Sequence, residues 1–172
     1  MKFARLLVAV GMMTIAMPAR SQSTDCVCPK VEQTVFRVCV DQTRTLAQLV
    51  ADGKYDWVNQ NITKFQFALG TERVSTDIVL LHFGRSVTSE QVRAEMERLG
   101  LRPADVRELL SLGAQEPNLQ RDFSIIALGA VAEVSDDRSV AYLYRGGHVR
   151  FLNLYWFGLG WFEYFRFAAV HK

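Results

Sequence analysis

The chain has 172 residues, 49% of them hydrophobic and 22% charged, with 20 basic and 18 acidic side chains for a formal net charge of +2. That length fits one domain with a substantial core, and that composition excludes a disordered or fibrous chain. Lys2, Arg5 and Arg20 lie in the first twenty positions, where there is no acid, so the rest of the chain is nearly neutral with interleaved charges, which argues against a nucleic-acid or anionic-surface partner.

Residues 1–21 read as a secretory leader. They have a charged start, an apolar run from Leu6 to Met17 that is too short to span a membrane, and small residues beyond it, with cleavage after Ala19 or Ser21. On this reading the mature chain has no transmembrane segment and is periplasmic or secreted. A start at Met12, Met13 or Met17 would instead delete the apolar run and leave a cytoplasmic protein. Residues 22–34 are expected to form a flexible segment carrying Cys26 and Cys28. With Cys39 these make three thiols, and in an oxidising compartment the expected bridge joins Cys39 to Cys26 or Cys28. Their spacing lacks the two-residue interval of zinc knuckles and no histidine is near them in sequence, so no metal site is expected.

Residues 35–172 are expected to form a single α+β domain. Positions 35–40 alternate as a half-buried strand, with Phe36, Val38 and Val40 on one face. Thr45 and Gln48 form a capping box that starts a helix over 46–52, and Gly53 is placed to end it. The following loop carries Asp56 and Trp57, which can touch a ligand but more commonly satisfy turn backbone and dock on the core. Asn61-Ile62-Thr63 matches the glycosylation triplet, which has meaning only on a eukaryotic secretory route. Positions 74–83 are apolar on both faces and read as an interior strand ending at His82. A lone histidine at a strand end is usually packed or hydrogen-bonded.

Thr88 and Gln91 start a second helix over 89–99, with Val92, Met96 and Leu99 inward and Gly100 as its stop. Pro103 opens a third, with Val106, Leu109 and Leu110 inward and Gly113 as the stop, so the two helices should form a corner or hairpin against the sheet. From Phe123 the period changes to two. A strand over 123–134, a turn at 135–138 and a strand over 139–145 lead to Gly146-Gly147, a two-residue hairpin turn that sets Arg145 opposite His148 and Tyr142 opposite Phe151. Strands over 148–157 and 161–170 complete an antiparallel meander. Its end, Phe151 to Phe167, holds nine aromatic residues in seventeen positions, which must be buried or used for binding. The expected fold is therefore a mostly antiparallel sheet of five or six strands with two or three short helices packed on one face.

The segment from Asp52 to Asn59, those from Leu99 to Ala104 and from Leu109 to Ala114, and Ile126-Ala127-Leu128-Gly129 resemble a group of small bacterial proteins with no assigned activity, over about residues 35–172. Members of that group start directly at the first strand, which favours the internal start. They are more acidic around the last two strands, where this chain has Leu154-Tyr155-Trp156-Phe157. The resemblance implies a common fold and carries over no catalytic residue.

No metalloprotease, nucleophile-elbow, phosphate-loop or dinucleotide motif occurs in the sequence, and no cofactor is expected. The leading reading is a non-catalytic binding or interaction module that offers Tyr155, Trp156, Trp161 and Trp57 to a protein partner or an extracellular ligand. The alternative is a small hydrolase or other enzyme with a site between helices and sheet near His82, with Asp56 as its carboxylate.

Overall fold

A computed structural model describes residues 31–172. The leader, the alternative starts, Cys26 and Cys28 lie outside the described residues. The first strand, β1 (Glu32–Asp41), already includes Glu32, Gln33 and Thr34, which were expected in the flexible segment. It pairs antiparallel along its whole length with β3 (Arg73–His82).

Helix α1 (Leu46–Gly53) starts at the expected capping box, in which Thr45 Oγ1 accepts from the Gln48 N–H and Gln48 Oε1 accepts from the Thr45 N–H. Its left-handed closing residue is Lys54 (φ 48°), not Gly53. Gly53 is glycine for another reason: the Tyr55 ring occupies the space a Cβ would need. The two-residue strand β2 (Trp57–Val58) and a 3-10 turn (Gln60–Lys64) lead to β3.

Helix α2 (Ser89–Arg98) has its capping box at Thr88 and Gln91 and ends at Gly100 (φ +71°), as the sequence predicts. Pro103 does not open the third helix. It ends a short strand, β4 (Leu101–Pro103), and Asp105 caps α3 (Val106–Gln115) through a box with Glu108. Gly113 lies inside α3, where Tyr55 and Leu143 leave no room for a side chain.

The short helix α4 (Leu119–Asp122) precedes β5 (Ser124–Ala127) and β6 (Ala132–Val134), which the sequence had joined into one strand. A two-residue turn, Ser135 (φ 51°) and Asp136 (φ 67°), leads into β7 (Asp137–Gly146), and β8 (Val149–Trp156) and β9 (Phe165–His171) follow. The β7–β8 turn is Gly147-His148, with Gly147 at φ +63°. The register is thus two residues from expectation, with Tyr144 opposite Phe151 and Tyr142 opposite Asn153. A shift of two preserves the face, so the aromatic side chains still share one side of the sheet.

Among the described residues the nine strands follow the order β1-β3-β9-β5-β7-β8-β2, with β4 beside β9 and β6 beside β7. Pairing is parallel only for β2–β8 and β5–β9, so the sheet is mixed and mostly antiparallel. The final strand does not close a meander. It crosses from β8 to insert between β3 and β5.

The helices do not share one face. Ile78 and Leu80 of β3 pack into a core with Leu49 of α1 and Leu109, Leu110 and Leu112 of α3, while Val79 and Leu81 pack with Val92 and Met96 of α2. Successive strand residues point to opposite faces, so the sheet carries two cores, and each fully buried aliphatic side chain contributes about 1.5–3 kcal/mol.

Candidate functional site

The residues singled out in the sequence separate in the fold. Trp161 is fully buried on the α2 face, its indole N–H donating to Ser89 Oγ at 3.0 Å, and that hydroxyl in turn donates to the Phe157 carbonyl. Trp161 is therefore core and not surface. Trp156 is 56% exposed but shares the opposite face with Leu152 and Leu154. Tyr155 is half-buried on the α2 face, and Trp57 is 44% exposed at the β2 edge of that same face, opposite Phe151. Cys39 is exposed on β1.

His82 and Asp56 do not meet. His82 is in β3 and Asp56 adjoins β2, with β9, β5, β7 and β8 between them in the sheet. The His82 ring bridges a Glu32 carboxylate oxygen (3.0 Å) and the Glu163 carbonyl (2.9 Å), which ties the end of the β8–β9 crossover to the β1–β3 pair. The imidazole also holds the Glu32 carboxyl below its usual range, through that hydrogen bond. Asp56 accepts from the Arg150 backbone N–H at 2.7 Å and returns its own N–H to the Arg150 carbonyl, fastening β2 to β8. Both residues do local structural work. Among the described residues no group of three or more His, Cys, Asp or Glu side chains is placed to hold a metal ion.

The α2 face instead carries a chain of touching rings. Trp57 meets Phe151 (centroids 5.7 Å), Phe151 stacks on Tyr144 (4.7 Å, 15°), Tyr144 stacks on Tyr142 (4.9 Å, 9°), and Tyr142 meets Tyr155 edge-on (5.7 Å). Tyr155 reaches Phe165 (5.7 Å), Phe165 meets Tyr164 (4.7 Å), and Tyr164 stacks on Phe162 (5.8 Å). Both ends of this chain are open to solvent, at Trp57 and at Phe162 and Tyr164, the last two each 55% exposed. In its middle Phe151, Tyr144, Tyr142 and Tyr155 are half-buried and Phe165 is buried.

Stacking decides what the middle of the chain shows to solvent. The rings of Phe151, Tyr144 and Tyr142 are nearly parallel and use their faces on one another, so edges and phenol hydroxyls are what remains to present. Tyr142 has its pKa pushed up to about 12, first by burial and then by Tyr144, with its hydroxyl in reach of Asn153. The sequence pointed to one end of this row, Trp57, and to Tyr155, and it did not offer Tyr142, Tyr144 or Phe162 as binding residues. The two-residue spacing of Tyr142 and Tyr144 was the available signal that they share a face.

Two clefts lie elsewhere. One of about 530 Å³ opens between α1 and the 3-10 turn over Leu46, Val50, Val58 and Ile62. The other, about 510 Å³, lies between α2 and β4, where Arg93 donates to the Leu128 carbonyl and Arg102 is paired with Glu108, so neither guanidinium is spare. No protein-family model, curated protein or solved structure matches this chain.

Proposed function

We propose that the protein is a non-catalytic interaction module whose α2 face engages a protein partner through the aromatic row. The observation that carries this reading is that eight rings run in continuous contact while both ends stay exposed. Aromatic side chains supply large contact area and are enriched at protein interfaces, and the solvent-facing parts of Trp57, Phe162 and Tyr164 are apolar surface that a partner could bury. The self-stacked centre offers hydroxyl edges suited to peptide groups. A sugar ring needs a free ring face, which Trp57 alone at that end retains. On the leader reading of residues 1–21, the partner is periplasmic or extracellular.

A photoreactive residue at Trp57 or Phe162, introduced into the full chain in its native cells, tests the reading. The expected result is one discrete protein cross-linked from both positions and not from Glu72, an exposed site far from the row. The same product should be lost when Tyr144 is changed to Ala in a background that folds normally. Identical products from all three positions would defeat the proposal.

A further inference from the structure

The two edges of the sheet are built differently. β2 contributes two residues, and a very short edge strand is one way natural sheets avoid pairing with other chains. β1 is ten residues long, pairs with β3 at every position without a bulge, and contains no proline, lysine or glycine. Among the described residues its only partner strand is β3. Such an edge is a template for another strand.

One part of that edge is already closed. In an antiparallel pair alternate residues turn their N–H and C=O away from the partner strand. Cys39 is one of the outward residues, and the Gln115 side chain at the end of α3 takes both groups: the Cys39 N–H donates to Oε1 at 2.8 Å and the Cys39 carbonyl accepts from Nε2 at 2.8 Å. A carboxamide there does what a neighbouring strand would do. By the same alternation Gln33, Val35 and Arg37 also point their backbone groups outward, and among the described residues no side chain bonds to them as Gln115 bonds to Cys39. Val35, in the middle of this open stretch, is 56% exposed.

We propose that the open stretch of β1 pairs antiparallel with the same stretch of a second copy of the chain, about a two-fold axis at Val35. In this register Val35 faces its own counterpart and Gln33 faces Arg37, so the three outward residues of each copy exchange about six hydrogen bonds. The length of the free edge selects this occupant. Cys39 then lies opposite residue 31, just past the first residue of the second strand, so the Gln115 amide closes the edge where that strand runs out.

Charge agrees with this geometry. Glu32 faces Val38 and Arg37 faces Gln33, whereas parallel in-register pairing would oppose Arg37 to Arg37 and Asp41 to Asp41, which destabilises a sheet. The Arg37 guanidinium is held by Asp77 of β3 in two bonds of 2.6 Å, which steadies its charge beside the axis. The two-fold axis stands perpendicular to the sheet, so the aromatic rows of both copies lie on one side of a continuous sheet. The pairing does not depend on the function proposed for that row.

The test uses the full chain. Its mass in solution is measured over a wide range of concentration, together with amide exchange at Val35 and Arg37 by NMR. The expected result is a dimer in which both amides exchange slowly and lose that protection on dilution. Val35→Lys sets two ammonium groups against each other at the axis and should weaken association by at least about tenfold. Val35→Pro removes an outward N–H without touching the β1–β3 ladder and should also give a monomer. If it unfolds, Val35→Lys keeps the test open. Monomer at every concentration overturns the proposal, as does protection that ignores dilution, which would mean that residues 1–30 cover the edge. A dimer that survives Val35→Lys overturns it as well.

Discussion

Replacing Arg150 with Met should destabilise the fold by about 2–4 kcal/mol, because Arg150 closes two helix ends at once. Arg150 is 6% exposed, and its guanidinium donates to the carbonyls of Gly53 and Gly113, both at 2.8 Å, and to Gln120 Oε1 at 2.9 Å. Gly53 is the last residue of α1 and Gly113 lies in the final turn of α3, where carbonyls lack intrahelical donors and a positive charge is favoured by the helix dipole. Met keeps most of the stem packing but leaves three buried acceptors unmet, at about 1–3 kcal/mol each. Part of that loss is returned, since burial holds the Arg150 pKa below its usual value and an apolar side chain removes the desolvated charge. Arg150→Lys keeps the charge but not the planar fork, so it should lose less. Urea unfolding followed by circular dichroism gives the difference, which corresponds to a shift on the order of 10 °C in Tm. An Arg150→Met protein as stable as the parent would refute the double cap and make Arg150 a replaceable buried charge.

Gly129→Ala should cost about 1–3 kcal/mol, because its Cβ would stand 2.5 Å from the Ala104 carbonyl oxygen and 2.7 Å from that of Pro103, backbone atoms that cannot step aside; an unchanged urea midpoint would count against this. Tyr142 favours its neutral form in the fold, with a pKa pushed up to about 12 chiefly by burial. Its stabilisation is therefore complete below pH 10 and is lost as pH rises from 10 to about 12. Tyr142→Phe should flatten the stability profile over that window, and an identical slope in parent and variant would show that this ring does not set it. Trp161→Phe should lose about 2 kcal/mol through the indole bond to Ser89 and the cavity left behind, while Trp57→Phe should stay within about 0.5 kcal/mol; equal losses in thermal melts would contradict the assignment of one to core and the other to surface.

Where local chemistry determines structure, the chain was readable. The Thr45–Gln48 and Thr88–Gln91 boxes placed two helix starts, Gly100 placed a helix end, and the apolar stretch over 74–83 identified β3 as an interior strand. The errors came from non-local constraints. Gly53 and Gly113 look like helix stops but are glycine because Tyr55 packs against both, and for Gly113 that contact is made far along the chain. β2, β4 and β6 have two or three residues each, too few for alternation to show, which is why the sheet has nine strands instead of five or six. The placing of all helices on one face failed although β3 already read as covered on both sides, since covering both sides of a central strand requires helices or chain on each. Of the candidate site, Trp57 and Tyr155 were found in the sequence, but the row that joins them needed the β2–β8 pairing, a parallel contact between distant segments.

The topology also explains why this chain carries so many rings. Because β9 lies between β3 and β5, the segment after β8 must cross the sheet to reach it, and its Phe157 and Trp161 pack in the same core as α2. Trp161 fills the ground beside α2, against Tyr155, Phe165 and Phe167, and the crossover is bound back to the loop before α2 through paired Val87 and Trp161. That accounts for the buried aromatics as packing, without appeal to a ligand. It accounts only in part for Trp57, Phe162 and Tyr164, which lie at the ends of the row with 44–55% of their surface exposed. These aromatic ends are what the interaction surface proposed above would use, and the cross-linking experiment at Trp57 and Phe162 decides whether it does.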